Sequence, residues 1–504
     1  MQIHTLLEMV ADAEPDRIIL TGSDGDVTLA GLLGRARAIA ARLKALDIRR
    51  VTFAGLNSEH FPALLFGSSL AGAVFTPINY RLADSDFSRL HQRCAPAASF
   101  VDPDMVVRIS DKSGLVMFDN SQMSEIYHEN GGDETTEFDL GDQESGAIVL
   151  FTSGTTSEPK AALLRHENLS SYVLSTVEFL GADPQEAALV SVPSYHIAGV
   201  SAVLTSVFAG RRIVYLPSFE ADAWVDAISR ESITHAMVVP TMLGRVLDIA
   251  ERTKASLKSL KALSYGGGRM PIATIERALD LLPDVNFVNA YGLTETSSTI
   301  SVLDPESHRI CRDASDPDVR RRLGSVGRPL PILELEIRDE AGCPLPPGVP
   351  GEIYVRGDQV SGEYSERKAI QEDGWFATND AGWLDSDGFL FVEGRLDDVI
   401  VRGGENISPS EIEDVIRRHP GVEDVAVLGL PDEQWGERIV AAIVPRGPIL
   451  TESIQAMVRD RLRSTRTPEA VFLRDSLPYN ETGKLMRRIL KAELAGAEGV
   501  NVSD

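Results

Sequence analysis

Four apolar runs, "SGAIVLFTS" ending at Ser153, "RRIVYLP" ending at Pro217, "THAMVVP" ending at Pro240 and "VNFVNAYG" ending at Gly292, each close on turn residues. Helix-length stretches separate several of them. Strands apolar on both faces need cover on both sides, and parallel neighbours need long crossovers, so the alternation predicts an α/β protein built on parallel strands. The texture changes after about Asp316. There "ILELEIRDEAGCPLPPGVPGEIYVRG" alternates polar and apolar residues around a Gly/Pro turn and predicts a smaller antiparallel unit. Past Asp397, "SPSEIEDVIRRHPGVEDVAVLGLP" predicts an amphipathic helix capped by Ser408 or Ser410, followed by a strand. With 504 residues the chain is too long for one core, and two or more domains are expected.

Two uncharged runs are long enough to test as membrane spans. Phe61 to Ile78 is broken by Gly67, Ser68, Ser69, Gly72 and Pro77, and reads as a buried helix plus a strand. Ala187 to Gly210 is interrupted by Pro193, His196 and Gly199, and reads as strand, turn and buried helix. The N-terminus lacks a basic start and does not read as a signal peptide. A net charge of −26 disfavours nucleic acid and anionic membranes as general partners, so any phosphate site must be a local device. Cys94, Cys311 and Cys343 lack metal or disulfide spacing, which points to a reducing compartment, the cytoplasm.

One such device is "LFTSGTTSEPKAALLRHENL", Leu150 to Leu169. Thr152, Ser153, Thr155 and Thr156 supply hydroxyls, Gly154 lets backbone approach closely, and Lys160 adds a cation: the makings of a phosphate cradle. It is not a Walker A loop, because Lys160 follows proline and precedes alanine. In isolation it also reads as a polar strand-to-helix turn. "NAYGLTETSS", Asn289 to Ser298, follows a predicted strand; Tyr291 can stack on a base, Thr294 can donate to phosphate and Glu295 can hold Mg²⁺. "GWFATND" puts Asp380 at a predicted strand end, where a carboxylate accepts both ribose hydroxyls, with Arg395 further on to meet a phosphate or ribose. "NETGK" presents Lys484 on a turn. Singly, Glu295 is a helix-start carboxylate, Asp380 a turn residue and Lys484 a surface lysine.

In order, "FTSGTTSEPK", "YGLTE", "GWFATND", "GRLDDVIVRGGENISPSEIE" and "NETGK" strongly resemble the adenylate-forming superfamily of acyl-CoA synthetases, with "PINYRL" extending the likeness over nearly the whole chain. The resemblance implies a large multi-layer α/β N-terminal domain, residues 1–396, with parallel and mixed sheets, helices and a smaller β unit. A hinge at Asp397 and a small, mobile α+β domain, residues 398–504, follow. It implies ATP, Mg²⁺ and coenzyme A as cofactors, a small carboxylic acid as substrate, and room for a homodimer. Carried over residue by residue, the Thr152 to Lys160 loop grips the β- and γ-phosphates. Thr294 contacts the α-phosphate, Glu295 holds Mg²⁺, Tyr291 stacks on adenine beside Asn289, Ala290 and Gly292, and Asp380 and Arg395 meet the nucleotide. Gly266, Gly267 and Gly268 line adenine on one side and the acyl group on the other. Lys484 bridges the substrate carboxylate and the α-phosphate, and Gly403 and Gly404 face the CoA tunnel.

The implied chemistry joins two anions: a carboxylate attacks the α-phosphate to give acyl-adenylate and pyrophosphate, and Lys484 and Mg²⁺ offset the repulsion. The thiol of CoA then displaces AMP, so no protein nucleophile is required. His196 of "VPSYHIAGV" is expected as a gate or wall of the acyl pocket, lined also by Pro240, Thr241, Met242, Gly268, Ser297, Ser298 and Thr299. Such a cavity suits a medium-chain, aromatic or polycyclic acid. Arg245 lacks a companion cation for a dicarboxylate, because Ala290 precedes Tyr291. Three departures from the family pattern stand out: Ser157 and Ala161 replace glycines of the loop, and Asn379, a residue tolerant of left-handed backbone, replaces glycine in "ATND". The first two leave open a member specialised in the thioester step. An enzyme loading a separate carrier protein, and a non-catalytic nucleotide-binding relative on the same fold, stay open as well.

Overall fold

The computed structural model describes residues 1–23, 25–129, 146–152, 159–365, 367–403, 405–432, 434–462, 464–480, 485–495 and 500–501. Two large sheets organise the N-terminal part. Strands Ile18–Gly22, Arg212–Tyr215, Ala187–Val190, His235–Val238, Ala262–Gly266 and Asn286–Leu293 run parallel side by side, with antiparallel Ser298–Leu303 beyond the last of them. In the second sheet Gly146–Thr152, Val74–Pro77, Arg50–Ala54, Ala97–Val101 and Leu115–Asp119 are parallel, and Lys160–Arg165 returns antiparallel to Gly146–Thr152.

The helices between the two sheets explain the apolar runs. Ile3–Ala13, Leu29–Ala45, His60–Leu70, His166–Thr176 and Ile197–Ala209 share one core with side chains of both sheets, such as Leu20 and Ile213 from one and Phe53 and Ile148 from the other. A helix with protein on every side needs no polar stripe, and from Phe61 to Leu70 every residue of His60–Leu70 is buried. The outer helices do show a stripe: Ala221–Arg230 buries Trp224, Val225, Ala227 and Ile228 against the far face of the first sheet. Among the described residues no helix is long and apolar enough to cross a membrane.

The predicted antiparallel unit is four strands, Glu334–Arg338, Gly351–Arg356, Phe376–Leu384 and Leu390–Arg395. Beyond it, strands Val422–Asp432 and Gly436–Pro445 form the centre of a smaller α+β unit. Their side chains alternate strictly: Val425, Val427, Ile439, Ala441 and Ile443 face helices Pro409–Ile416 and Thr451–Arg461, whereas Ala426, Leu428, Val440 and Ala442 face Arg487–Leu494. Ser408 sits at the N-cap of Pro409–Ile416 as expected, but neither it nor Ser410 caps the helix through its side chain. Both hydroxyls donate instead to the Glu393 carbonyl, 3.2 and 3.1 Å away, tying the helix to Leu390–Arg395.

Candidate active site

Gly146–Thr152 and Lys160–Arg165, which flank the phosphate-cradle residues in sequence, pair antiparallel, so the motif joins strand to strand and not strand to helix. Its ends close on the pair Thr152–Lys160, both partly exposed, and Arg93 donates to the Pro159 carbonyl at 2.9 Å. Ser153, Gly154, Thr155 and Thr156 lie outside the described residues, as do Gly404 and Lys484.

"NAYGL" does not follow a strand; it is the second half of Asn286–Leu293. Pairing with Ser298–Leu303 through a bulge at Tyr291/Gly292 carries the strand to the mouth of the site. A side chain at Gly292 would sit 1.6 Å from the Ser298 carbonyl, and one at Gly266 2.2 Å from that of Ala290, so both closures require glycine. Asn289 serves the fold: its buried amide donates to the Ser325 carbonyl at 3.0 Å. Thr294, Glu295 and Thr296 then form a single 3₁₀ turn, held by Ser361 and Gly362 N–H groups donating to the Glu295 carbonyl. Two non-glycine residues with positive φ follow, Ser297 at 54° and Ser298 at 111°. Such backbone costs about 1–3 kcal/mol per residue and persists where the surroundings over-determine it.

Asp380 is also not at a strand end. It lies inside Phe376–Leu384, opposite Arg395 and beside a bulge, and it is 5% exposed. Its neighbour Asn379 takes φ 60°, the left-handed backbone that asparagine was expected to tolerate. The strand therefore turns at Asn379 and delivers Asp380 to Tyr291, whose hydroxyl donates to Oδ2 at 2.6 Å, while Arg395 Nε meets Oδ1 at 3.0 Å. A carboxylate has about four acceptor directions, and Tyr291 and Arg395 each meet a different oxygen. Burial and then the Asp380 charge push the Tyr291 phenol well above its ordinary range, which keeps it a donor.

Sequence reasoning missed Tyr364. Its hydroxyl donates to Glu295 Oε1 at 2.6 Å, and the Lys160 ammonium lies 5.9 Å from its ring centroid. One ring thus links the end of the phosphate loop to the expected metal ligand. Burial, then Glu295, raises this phenol too, against the charges of Arg367 and then Arg395. The signal was faint: "SGEYSE" shows no motif, and Tyr364 reaches the site only because Glu363–Tyr364 adds to the edge strand Lys160–Arg165, fixed by a bidentate Arg165–Glu363 pair. Among the described residues no group of three or more His, Cys, Asp or Glu can hold a metal. Glu295 as a lone carboxylate suits Mg²⁺ shared with phosphates and water, not an all-protein cage.

His196 is the N-cap of Ile197–Ala209 and packs on Tyr195, ring centroids 4.7 Å apart. Gly268 adjoins Pro240, which with Thr241 and Met242 opens helix Pro240–Thr253. Ser298 donates to Ser201 at 3.3 Å, Tyr172 and Thr299 hydroxyls are 3.4 Å apart, and the buried Ser297 hydroxyl has no partner among the described residues. Arg245 stands apart, 59% exposed, near Glu220 and over Phe219. Gly403 is exposed beside the Trp435 ring, and Asp397, also exposed, accepts from Asn379 at 3.1 Å.

The profile of the AMP-binding enzyme family matches residues 7–365, and that of the AMP-binding enzyme C-terminal domain matches residues 411–484. The chain belongs to this family. It is 32% identical to an indoleacetate–CoA ligase of Aromatoleum aromaticum, over 97% of each chain. It is 31% identical to a feruloyl-CoA synthase of an Amycolatopsis species, over 92% of each. Its fold matches o-succinylbenzoate CoA synthetase from Bacillus subtilis in complex with its acyl-adenylate intermediate, with a TM-score of 0.82, 29% identity and 98% of both chains covered. The class is that of AMP-forming acid–thiol ligases, which activate a carboxylic acid as its adenylate and pass the acyl group to CoA.

Proposed function

We propose that this ligase activates an aromatic monocarboxylic acid with ATP and Mg²⁺ and transfers it to CoA. The observation that carries the nucleotide half is that Tyr291 and Glu295, four residues apart, each anchor a set of expected site residues: Tyr291 joins Asp380 and Arg395, and Glu295 joins Tyr364 beside Lys160. In this reading Asp380 accepts the ribose hydroxyls, Tyr291 flanks adenine with Gly266 to Gly268, Glu295 holds Mg²⁺, and Thr294 and the Thr152 to Lys160 loop take the phosphates. Lys484 offsets the charge of the attacking carboxylate. Bound Mg²⁺ and ATP would supply the electrophilic phosphorus and a leaving pyrophosphate; Lys160 and the loop hydroxyls would hold the phosphates in place.

The acid is argued from the lining and the relatives. Pro240 and the glycine trio offer apolar and small surfaces, whereas Met242 is packed into the core beneath; Arg245 pairs outside with Glu220, which leaves a second substrate carboxylate without a matching cation there. Relatives named for indoleacetate and ferulate support an aryl group. We place residues 1–396 in one domain and 398–504 in another, with Asp397 as pivot; the hydrophobic clusters of the small unit contain only residues from Ile400 onward. Buried Cys94 and Cys311, unpaired Cys343 and the need for ATP and CoA support the cytoplasm. Sizing chromatography tests the homodimer.

The deciding experiment offers indole-3-acetate, ferulate, octanoate and a dicarboxylate, and measures pyrophosphate release and CoA-thioester mass. An aromatic monoacid is expected to give the thioester. Acyl transfer to a carrier protein with CoA ignored refutes the acceptor, and absence of acid-dependent pyrophosphate release refutes the ligase reading.

A further inference from the structure

Ser297 and Ser298, the two residues held at positive φ, directly follow the turn that carries Glu295, and they are not the only costs at this corner. Ser297 and Gln359 are both fully buried, and the Ser297 hydroxyl and Gln359 Oε1 have no hydrogen-bond partner among the described residues. Left-handed backbone on residues with side chains, and buried polar atoms without partners, each cost free energy; found together, they mark a place that the surroundings over-determine. What holds the corner is the other end of the same amide. Gln359 Nε2 donates to the Thr296 carbonyl at 3.0 Å and to the Thr299 carbonyl at 2.7 Å, one on each side of the strained pair. The reverse orientation would set its oxygen against two carbonyls, so the orphaned Oε1 follows from the two bonds that Nε2 makes.

The segment that carries Gln359 is itself anchored. The Asp358 carbonyl accepts from Asn168 Nδ2 at 2.8 Å, Val360 N–H closes on the Gly357 carbonyl at 2.9 Å, and Glu363–Tyr364 pairs with Lys160–Arg165. From this base Ser361 and Gly362 N–H groups donate to the Glu295 carbonyl at 2.8 and 3.1 Å, and the Tyr364 hydroxyl donates to the Glu295 carboxylate. Glu295 is thus held at its backbone and at its carboxylate, and Gln359 holds the residue that follows it, Thr296. The Thr296 hydroxyl closes the turn from within, accepting from Leu293 N–H at 3.0 Å. Without the Gln359 amide two carbonyls lose a donor and the strained pair loses the bond on either side of it. The backbone leaving Glu295 is then free to relax toward ordinary angles and to carry the carboxylate with it.

We infer that Gln359 is a positioning residue for the metal site: by bracketing Ser297 and Ser298 it keeps Glu295 set for Mg²⁺ before the nucleotide arrives. This rests on the reading above in which Glu295 holds Mg²⁺. Gln359, 0% exposed, acts through the turn and not on the ion.

Gln359→Met keeps the length of the side chain and removes both bonds. The Mg²⁺ concentration for half-maximal pyrophosphate release should rise at least fivefold. Mn²⁺, followed by electron paramagnetic resonance, should bind the complex with a non-hydrolysable ATP analogue at least fivefold more weakly. Thioester formation from supplied acyl-adenylate, which releases no pyrophosphate, should stay within twofold, and hydrogen exchange of the Ser361 and Gly362 amides should accelerate at least threefold by mass spectrometry. A glutamine that merely supports the fold would lower both half-reactions together; equal loss, or unchanged metal dependence in a folded variant, overturns the inference. The parent supplies a measurement that does not need the variant to fold. Exchange of the same two amides should change less than twofold when Mg²⁺ and the analogue are added, and slowing beyond that would show that the nucleotide, not Gln359, sets the turn. A parent that neither releases pyrophosphate with any acid nor binds Mn²⁺ with the analogue overturns the metal-site reading instead, and the exchange rates in Gln359→Met still decide the clamp.

Discussion

Replacing Asp380 by asparagine keeps the shape of the side chain and removes its charge. In the parent, Tyr291 donates to one oxygen at 2.6 Å and Arg395 to the other at 3.0 Å, and the residue is 5% exposed. An asparagine must turn its NH₂ toward one of these donors. Facing Arg395 it sets donor against donor; facing Tyr291 it forces the phenol to accept. Whichever way it turns, one ribose hydroxyl loses its charge-assisted acceptor, worth about 1.5–3 kcal/mol. Since 1.4 kcal/mol is a factor of ten, ATP affinity should fall roughly 10- to 150-fold. Titration calorimetry with a non-hydrolysable ATP analogue and Mg²⁺ measures this, and a thermal melt on the same sample separates it from unfolding. A folded variant whose Kd stays within twofold of the parent would remove Asp380 from the nucleotide site and refute the nucleotide reading with it.

Lys484→Ala should slow adenylate formation by about 10²-fold or more while leaving conversion of supplied acyl-adenylate to thioester intact, because thiol attack does not need that cation; separate half-reaction assays check it. Asp397→Pro restricts φ at the proposed pivot and should show the opposite fault, pyrophosphate release without thioester. Tyr364→Phe removes the bond that orients Glu295 at 2.6 Å and should raise the Mg²⁺ concentration for half-maximal adenylation roughly tenfold, with ATP affinity at saturating Mg²⁺ little changed. His308 donates from Nδ1 to the Asp304 carbonyl and accepts at Nε2 from Tyr265, the residue before the glycine trio, and burial lowers its pKa from 6.5 to about 4. The unfolded chain therefore binds the proton first. This contribution is present above pH 6.5 and is lost as pH falls toward 4, so the melting temperature should drop across that window, and less steeply in His308→Gln.

Much of the fold is legible in the sequence because each layer leaves its own trace in the chain. Strands buried on both faces read as unbroken apolar runs, and the sandwiched helix His60–Leu70 reads as a membrane-length run interrupted by small residues. The nucleotide motifs are legible because their residue types follow from what they would hold. What sequence does not show is where strands end and which edges meet. Asp380 reads as a strand end and "NAYGLTETSS" as following a strand, yet bulges at Ala381/Gly382 and Tyr291/Gly292 let pairing continue through them. Each bulge carries a glycine, Gly292 or Gly382, which in sequence reads equally as a strand-ending turn, so a functional carboxylate can sit inside a ladder and still point into a site. Tyr364 is invisible for a related reason. It is brought in by edge pairing with Lys160–Arg165, a contact between residues some 200 positions apart that no local period encodes. The turn Leu396–Asp398 shows the same limit at its smallest scale: Asp397 and Asp398 are identical neighbours in sequence, and only the fold gives one to Asn379 and the other to Arg487.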